Sequence, residues 1–227
     1  PVYGDGQADP ASITAEATLR PEMFDPALAP RLPPSFTRAL PRSAPRRRRT
    51  HPVIAAFNSL GYDAATLGNH EFNYGVAFLA TALSRAQFPV VSANIATRLG
   101  KSPLRDKTLV PPFTLLKRQL IDGMGRAHTV RIGVIGFAPP QIEIWDQEHL
   151  GGRIRMRDIL AAARAWLPRI RAQGAEIIVA LAHSGIGSVV AEDGMENAAA
   201  ALAALPEIDA VIAGHSHMAF PGPGFPA

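Results

Sequence analysis

From residue 51 onward, short apolar runs alternate with helix-patterned stretches, and the apolar runs tend to give way to polar or glycine-rich loops. Strands alternating with helices restrict the chain to an α/β fold. "HPVIAAFNSLG" carries Pro52 at a first helical turn and stops on Gly61, which predicts a helix. "DAATLG" reads as a short buried strand, "GVAFLATALSRA" as a helix and "FPVVSANI" as a strand. "FTLLKRQLID" and "HTVRIGVIGF" predict two strands joined by a turn at "DGMGR". "MRDILAAARAWLPRIRAQG" has the period of an amphipathic helix ending at Gly174. "AEIIVALAH", "MENAAAALAAL" and "IDAVIAGH" follow as strand, helix and strand. No internal repeat is visible.

The first fifty residues have a different texture. They hold nine prolines and no sustained period of 2 or 3.6, so regular structure is not expected there. They also hold eight Arg against five acids, most of the net charge of +4, concentrated in Arg46–Arg49. No aromatic residues are interleaved for base stacking, so the run reads as a solvated stretch, not a nucleic-acid surface. The expected division is therefore 1–50, a Pro/Arg-rich unstructured or out-of-family segment, and 51–227, an α/β domain. With 47% apolar residues the chain can bury a core. It has no run of membrane-span length and no leader pattern, so neither a span nor an export signal is expected on it. The absence of cysteine excludes disulfides, thiolate metal sites and cysteine nucleophiles.

Four of the seven histidines follow strand-like runs: His70 after "AATLGN", His183 after "IIVALA", and His215 and His217 after "AVIAG". Ligand sites in α/β sheets form beyond the carboxyl ends of strands. Three strands are thus expected to deliver polar loops to one edge of a sheet. Imidazole nitrogen and the Asn69 amide oxygen are neutral ligands suited to Zn, Mn or a similar divalent ion. Gly68 and Gly214 would let the backbone turn sharply beside an ion or a phosphate. Each alone has a plainer or weaker reading: His183 as a hydrogen-bonded core residue, "GNHE" as a turn, and "GHSH" as a loop whose two histidines could reach one site. Their order and common position favour a metal site. His51, His128 and His149 lack such a setting and read as structural or exposed.

"LGNHEFNYG", "LAHSGIG" and "AGHSHMAFPGP" resemble the motifs of the calcineurin-like metallophosphoesterases. Within them, the chain looks like the bacterial 2′,3′-cyclic-nucleotide 2′-phosphodiesterase/3′-nucleotidase branch of the 5′-nucleotidase group. Relatives with 5′-nucleotidase activity usually carry Asp in place of Asn73 and Gln in place of His217. The resemblance covers roughly residues 51 to 227 and implies a four-layer α/β/β/α sandwich, of which a partial copy is expected here. It implies hydrolysis of 2′,3′-cyclic nucleotides and 3′-nucleotides by a hydroxide activated between two divalent ions. Asn69, His183 and His215 resemble ligands of the second ion, His217 a ligand of the first, and His70 the histidine beside the phosphate that helps the leaving oxygen depart. Glu71 and Phe72 resemble supports of the loop. Such enzymes usually work in the periplasm, with a C-terminal domain that stacks the nucleobase.

The family's Asp-x-His and Gly-Asp motifs are not found upstream of His51. Gly4 and Asp5 in "YGDG" come nearest, with no apolar strand before them. Without a carboxylate to offset repulsion between two ions, one weakly held ion or none is expected. The nucleobase-binding domain is expected to be missing after "GPGFPA". Two other readings stay open. One is a non-catalytic remnant. The other is a hydrolase of 5′-nucleotides or nucleotide sugars, against which Asn73 and His217 tilt.

Overall fold

The computed structural model describes residues 50–218 and Gly222. The first segment up to Arg49, with Asp5 and Arg46–Arg49, lies outside the described residues. Helix α1 (Pro52–Leu60) begins with proline in its first turn and ends on Gly61. Strand β1 (Ala65–Thr66) leads through Leu67 and Gly68 into a 3₁₀ turn (His70–Phe72) and helix α2 (Gly75–Leu83). Strand β2 (Val90–Val91) lies parallel to β1. Strands β3 (Ile95–Arg98) and β4 (Lys107–Thr108) are antiparallel.

A long hairpin follows, β5 (Phe113–Ile121) against β6 (Ala127–Phe137), in unbroken antiparallel register. Two single-turn helices, α3 (Ile142–Trp145) and α4 (Gln147–Leu150), lead to β7 (Arg155–Met156), which pairs with β3. Helix α5 (Ile159–Ala172) is capped by Asp158, whose carboxylate accepts the Ala161 N–H at 2.7 Å. Strand β8 (Ile177–Ala182), helix α6 (Ala199–Ala203) and strand β9 (Ala210–Ala213) complete the described fold. The largest sheet runs β5-β6-β8-β9, with its last three strands parallel.

The layers are α, β, β, α. Leu67 and Val90 of the β1–β2 side bury against Ile54 of α1 and Val76, Leu79 and Leu83 of α2. On the far side, Ile135, Phe137, Ile178 and Ala180 bury against Leu160, Ala163, Leu167 and Ile170 of α5. The β8 exposures alternate strictly, as a period of two requires. The two sheets meet at Gly136, where a Cβ would collide with the Val91 carbonyl and the Thr66 hydroxyl. Gly136→Ala is therefore expected to force the sheets apart and cost about 2–3 kcal/mol, read as a lowered urea midpoint.

The structure corrects the sequence expectations in four places. "FPVVSANI" is not one strand, because Ser92 and Ala93 donate to the Pro111 and Gly136 carbonyls and the chain changes sheet before β3. The helix expected over "MENAAAALAAL" shrinks to Ala199–Ala203, because the Ala198 N–H donates to Ser184 Oγ and Asn197 is held against Gly185. Helices α3 and α4 were not expected at all. The three site-bearing strands do not share one sheet edge. β8 and β9 are neighbours, but β1 pairs with β2 in the facing sheet, so the loops converge from two sheets. Among the described residues no helix is long and apolar enough to cross a membrane.

Candidate metal centre

The loop after β1 places Asn69 and His70. Its shape is fixed by Glu71, whose Oε2 accepts the Gly68 N–H at 2.7 Å, and by Phe72, which is fully buried. His183 follows the last residue of β8 directly, and its N–H donates to the Phe137 carbonyl at 2.9 Å. Its ring lies over Gly68, where a Cβ would come within 2.6 Å of the imidazole. Glycine is required there for the two loops to meet. At Gly214 the space is open, so no such demand exists among the described residues.

The meeting is direct. His183 Nε2 donates to Asn69 Oδ1 at 2.9 Å, and the His183 and His215 rings are 5.1 Å apart. His215 is the centre of a three-residue turn closed by the Ser216 N–H on the Gly214 carbonyl at 2.9 Å. Its φ of 73° and the φ of 55° at His217 are left-handed conformations that a non-glycine residue adopts at a cost of about 1 kcal/mol or more. Strain of this kind concentrates at functional sites. His215 Nε2 pairs with Glu196 Oε1 at 3.0 Å, which leaves Nδ1 as its donor atom, and Trp145 stacks on the ring at 5.6 Å.

Burial holds the His183 imidazole down to about 4, reinforced by the charges of His215, His70 and His217. It is thus neutral near pH 7, the form in which imidazole binds a metal. The same depression sets a pH dependence of stability. Between its usual value of 6.5 and about 4, the unfolded chain carries a proton on this residue that the folded chain lacks. Stability of the metal-free protein should therefore fall as pH drops through that window, and His183→Asn should flatten this part of the profile, read from urea midpoints at pH 7 and pH 5.

The structure brings Asn69, His183 and His215 together, with His70 and His217 near enough to act on His183 electrostatically. Among the described residues no three His, Asp or Glu side chains gather into a metal-holding cluster. His217, exposed, is therefore not joined to His183 and His215 in one such group. What fits a divalent ion is the mixed set of one amide oxygen and two imidazoles, all neutral, with a carboxylate behind one of the imidazoles. His51 is buried, whereas His128 is exposed and pairs with Asp122, and His149 is exposed.

Three residues near the site carried no motif. Glu196 and Trp145 flank His215, and Asp146 accepts a hydrogen bond from Asn73 Nδ2 at 2.9 Å. Asn73 Oδ1 in turn faces His70 Nδ1 at 2.9 Å. Burial pushes the Asp146 carboxyl up, against the Asn73 hydrogen bond and the charges of His149 and His70. The exit of β6 towards Asp146 is pinned by buried Asn94, which bonds both the Ala138 N–H and its carbonyl.

Residues 45–219 match the model of the calcineurin-like phosphoesterases. The chain is 41% identical over 177 residues to the 2′,3′-cyclic-nucleotide 2′-phosphodiesterase/3′-nucleotidase of Haemophilus influenzae, covering 78% of this chain and 26% of that protein. It is 44% identical over 174 residues to the trifunctional nucleotide phosphoesterase protein YfkN of Bacillus subtilis, covering 76% of this chain and 12% of that one. The chain thus spans about a quarter or less of the length of these relatives. The crystal structure of calcineurin-like phosphoesterase YfkN from Bacillus subtilis superposes with a TM-score of 0.76 at 36% identity, over 97% of this chain and 58% of that one.

Proposed function

The chain belongs to the calcineurin-like phosphoesterase family, and we propose that it carries metal-holding loops of an enzyme that hydrolyses 2′,3′-cyclic nucleotides and 3′-nucleotides. The observation that carries this reading is the contact between Asn69 and His183, 114 residues apart in sequence, beside His215. Asn69 Oδ1, His183 Nε2 and His215 Nδ1 would hold one divalent ion, with Glu196 orienting the His215 ring. His217 is the residue left for a second ion, which without a bridging carboxylate is not expected to be held. A bound ion supplies charge neutralisation at the phosphate and a more acidic attacking water. The chain's own part is positioning and proton transfer. His70 has Nδ1 engaged by Asn73, so Nε2 is the nitrogen that would take up a second proton and pass it to the departing oxygen, leaving the ring neutral with Nδ1 protonated. A periplasmic setting and a nucleotide substrate accompany this reading.

Phosphate release from 3′-AMP, 2′,3′-cyclic AMP and 5′-AMP, with Mn²⁺ or Zn²⁺ added, tests it. Hydrolysis should be metal-dependent, stop with chelator, and favour 3′-AMP over 5′-AMP. A chain with no metal-dependent turnover on any of the three would have lost the activity proposed here.

A further inference from the structure

Asp146 is buried, with 3% of its surface exposed, and stands at the N-cap of α4. An aspartate there ordinarily accepts an N–H of its own helix. This one caps nothing, and its Oδ1 accepts instead from Asn73 Nδ2 at 2.9 Å, from a residue 73 positions earlier. The consequence runs through three side chains. A carboxylate only accepts hydrogen bonds, so the Asn73 amide must turn its NH₂ towards Asp146. Its carbonyl oxygen then faces His70 Nδ1 at 2.9 Å. An amide oxygen also only accepts, so His70 Nδ1 must carry the hydrogen.

We infer that Asp146 is a positioning residue which, through Asn73, fixes the tautomer and seat of His70. With Nδ1 committed to Asn73, Nε2 is the nitrogen that takes up a second proton and gives it to the departing oxygen, the ring ending neutral and still protonated on Nδ1. Without a carboxylate at 146, the two ends of the Asn73 amide have nearly the same shape and no reason to choose. A flipped amide would offer NH₂ to Nδ1, draw the ring into the other tautomer and leave Nε2 carrying the hydrogen in the neutral ring. Stiff placement of this kind is how outer residues tune an acting histidine. The inference rests on the reading of His70 as the proton donor, but its structural half can be measured without turnover.

The test is nitrogen-15 NMR of the His70 ring in the full chain, together with steady-state kinetics. The wild type should show a protonated, pyrrole-type Nδ1. Asp146→Asn, nearly isosteric, should populate the other tautomer and lower kcat by about tenfold with KM within about twofold. The double variant Asn73→Asp with Asp146→Asn moves the charge one residue along. The amide introduced at position 146 donates to the carboxylate introduced at position 73, and that carboxylate accepts from Nδ1. The wild-type tautomer and most of kcat should then return. A neutral wild-type ring with its hydrogen on Nε2, or an Asp146→Asn ring unchanged from wild type, overturns the inference. An Nδ1-protonated ring that depends on Asp146, in a chain with no hydrolysis at all, supports the relay and rejects only the reading of His70 as proton donor.

Discussion

Replacing His183 by alanine is expected to weaken divalent-ion binding more than about a hundredfold, the upper end of what loss of even an outer partner costs. The reason is position. His183 bonds Asn69 through Nε2 and also sits beside His215, with ring centres 5.1 Å apart. Removing it separates the two remaining donors. It also removes a half-buried base held to about 4, so folding near neutral pH should survive the change or improve at low pH. Loss of metal without loss of fold is therefore the signature. Isothermal titration with Mn²⁺, alongside a urea midpoint, separates the two effects. Equal metal affinity in the variant would remove His183 from the ligand set.

Phe72→Ala should produce the largest loss of stability, about 3–5 kcal/mol, against a total of about 5–15 kcal/mol for a typical domain. Phe72 has no exposed surface and packs in the cluster that holds Leu67, Val76, Leu79, Ile142 and Leu150. Its backbone belongs to the 3₁₀ turn that begins with His70 and receives Asn69 as its cap. The anchor of the core is thus also the anchor of the site loop. Phe72→Leu, which keeps most of the volume, should cost about 1 kcal/mol and leave the Asn69–His183 contact in place. Urea unfolding of both variants measures this. A Phe72→Ala protein as stable as the wild type would show that the turn is held from elsewhere.

Much of the fold was legible because its longer elements carry clear periods. The β5–β6 hairpin, β8 and α5 each extend over six residues or more, and β8 and α5 bury one face. What escaped was short or governed from a distance. β4 and β7 are two residues long, too brief to show alternation. The break after Val91 depends on carbonyls of Pro111 and Gly136, supplied by other parts of the chain. α6 is cut short by Ser184 and Asn197 contacts across the β8 loop.

The site divides in the same way. Asn69, His70, His183, His215 and His217 were visible because each follows an apolar run and so sits where a strand delivers its loop. Glu196, Trp145 and Asp146 follow no strand. Their roles come from α3, α4 and the segment before α6 folding back over the strand ends, which no local pattern encodes. The assumption of one shared sheet edge failed for a related reason: β1 is two residues long, and its partner could not be read from its own sequence.

The most direct measurement is anomalous X-ray scattering from a crystal of the chain grown or soaked with Mn²⁺. A peak bounded by Asn69 Oδ1, His183 Nε2 and His215 Nδ1 is the result expected of a phosphoesterase metal centre built from two facing sheets. A crystal in which those three side chains keep their direct contacts and manganese binds nowhere near them would contradict it.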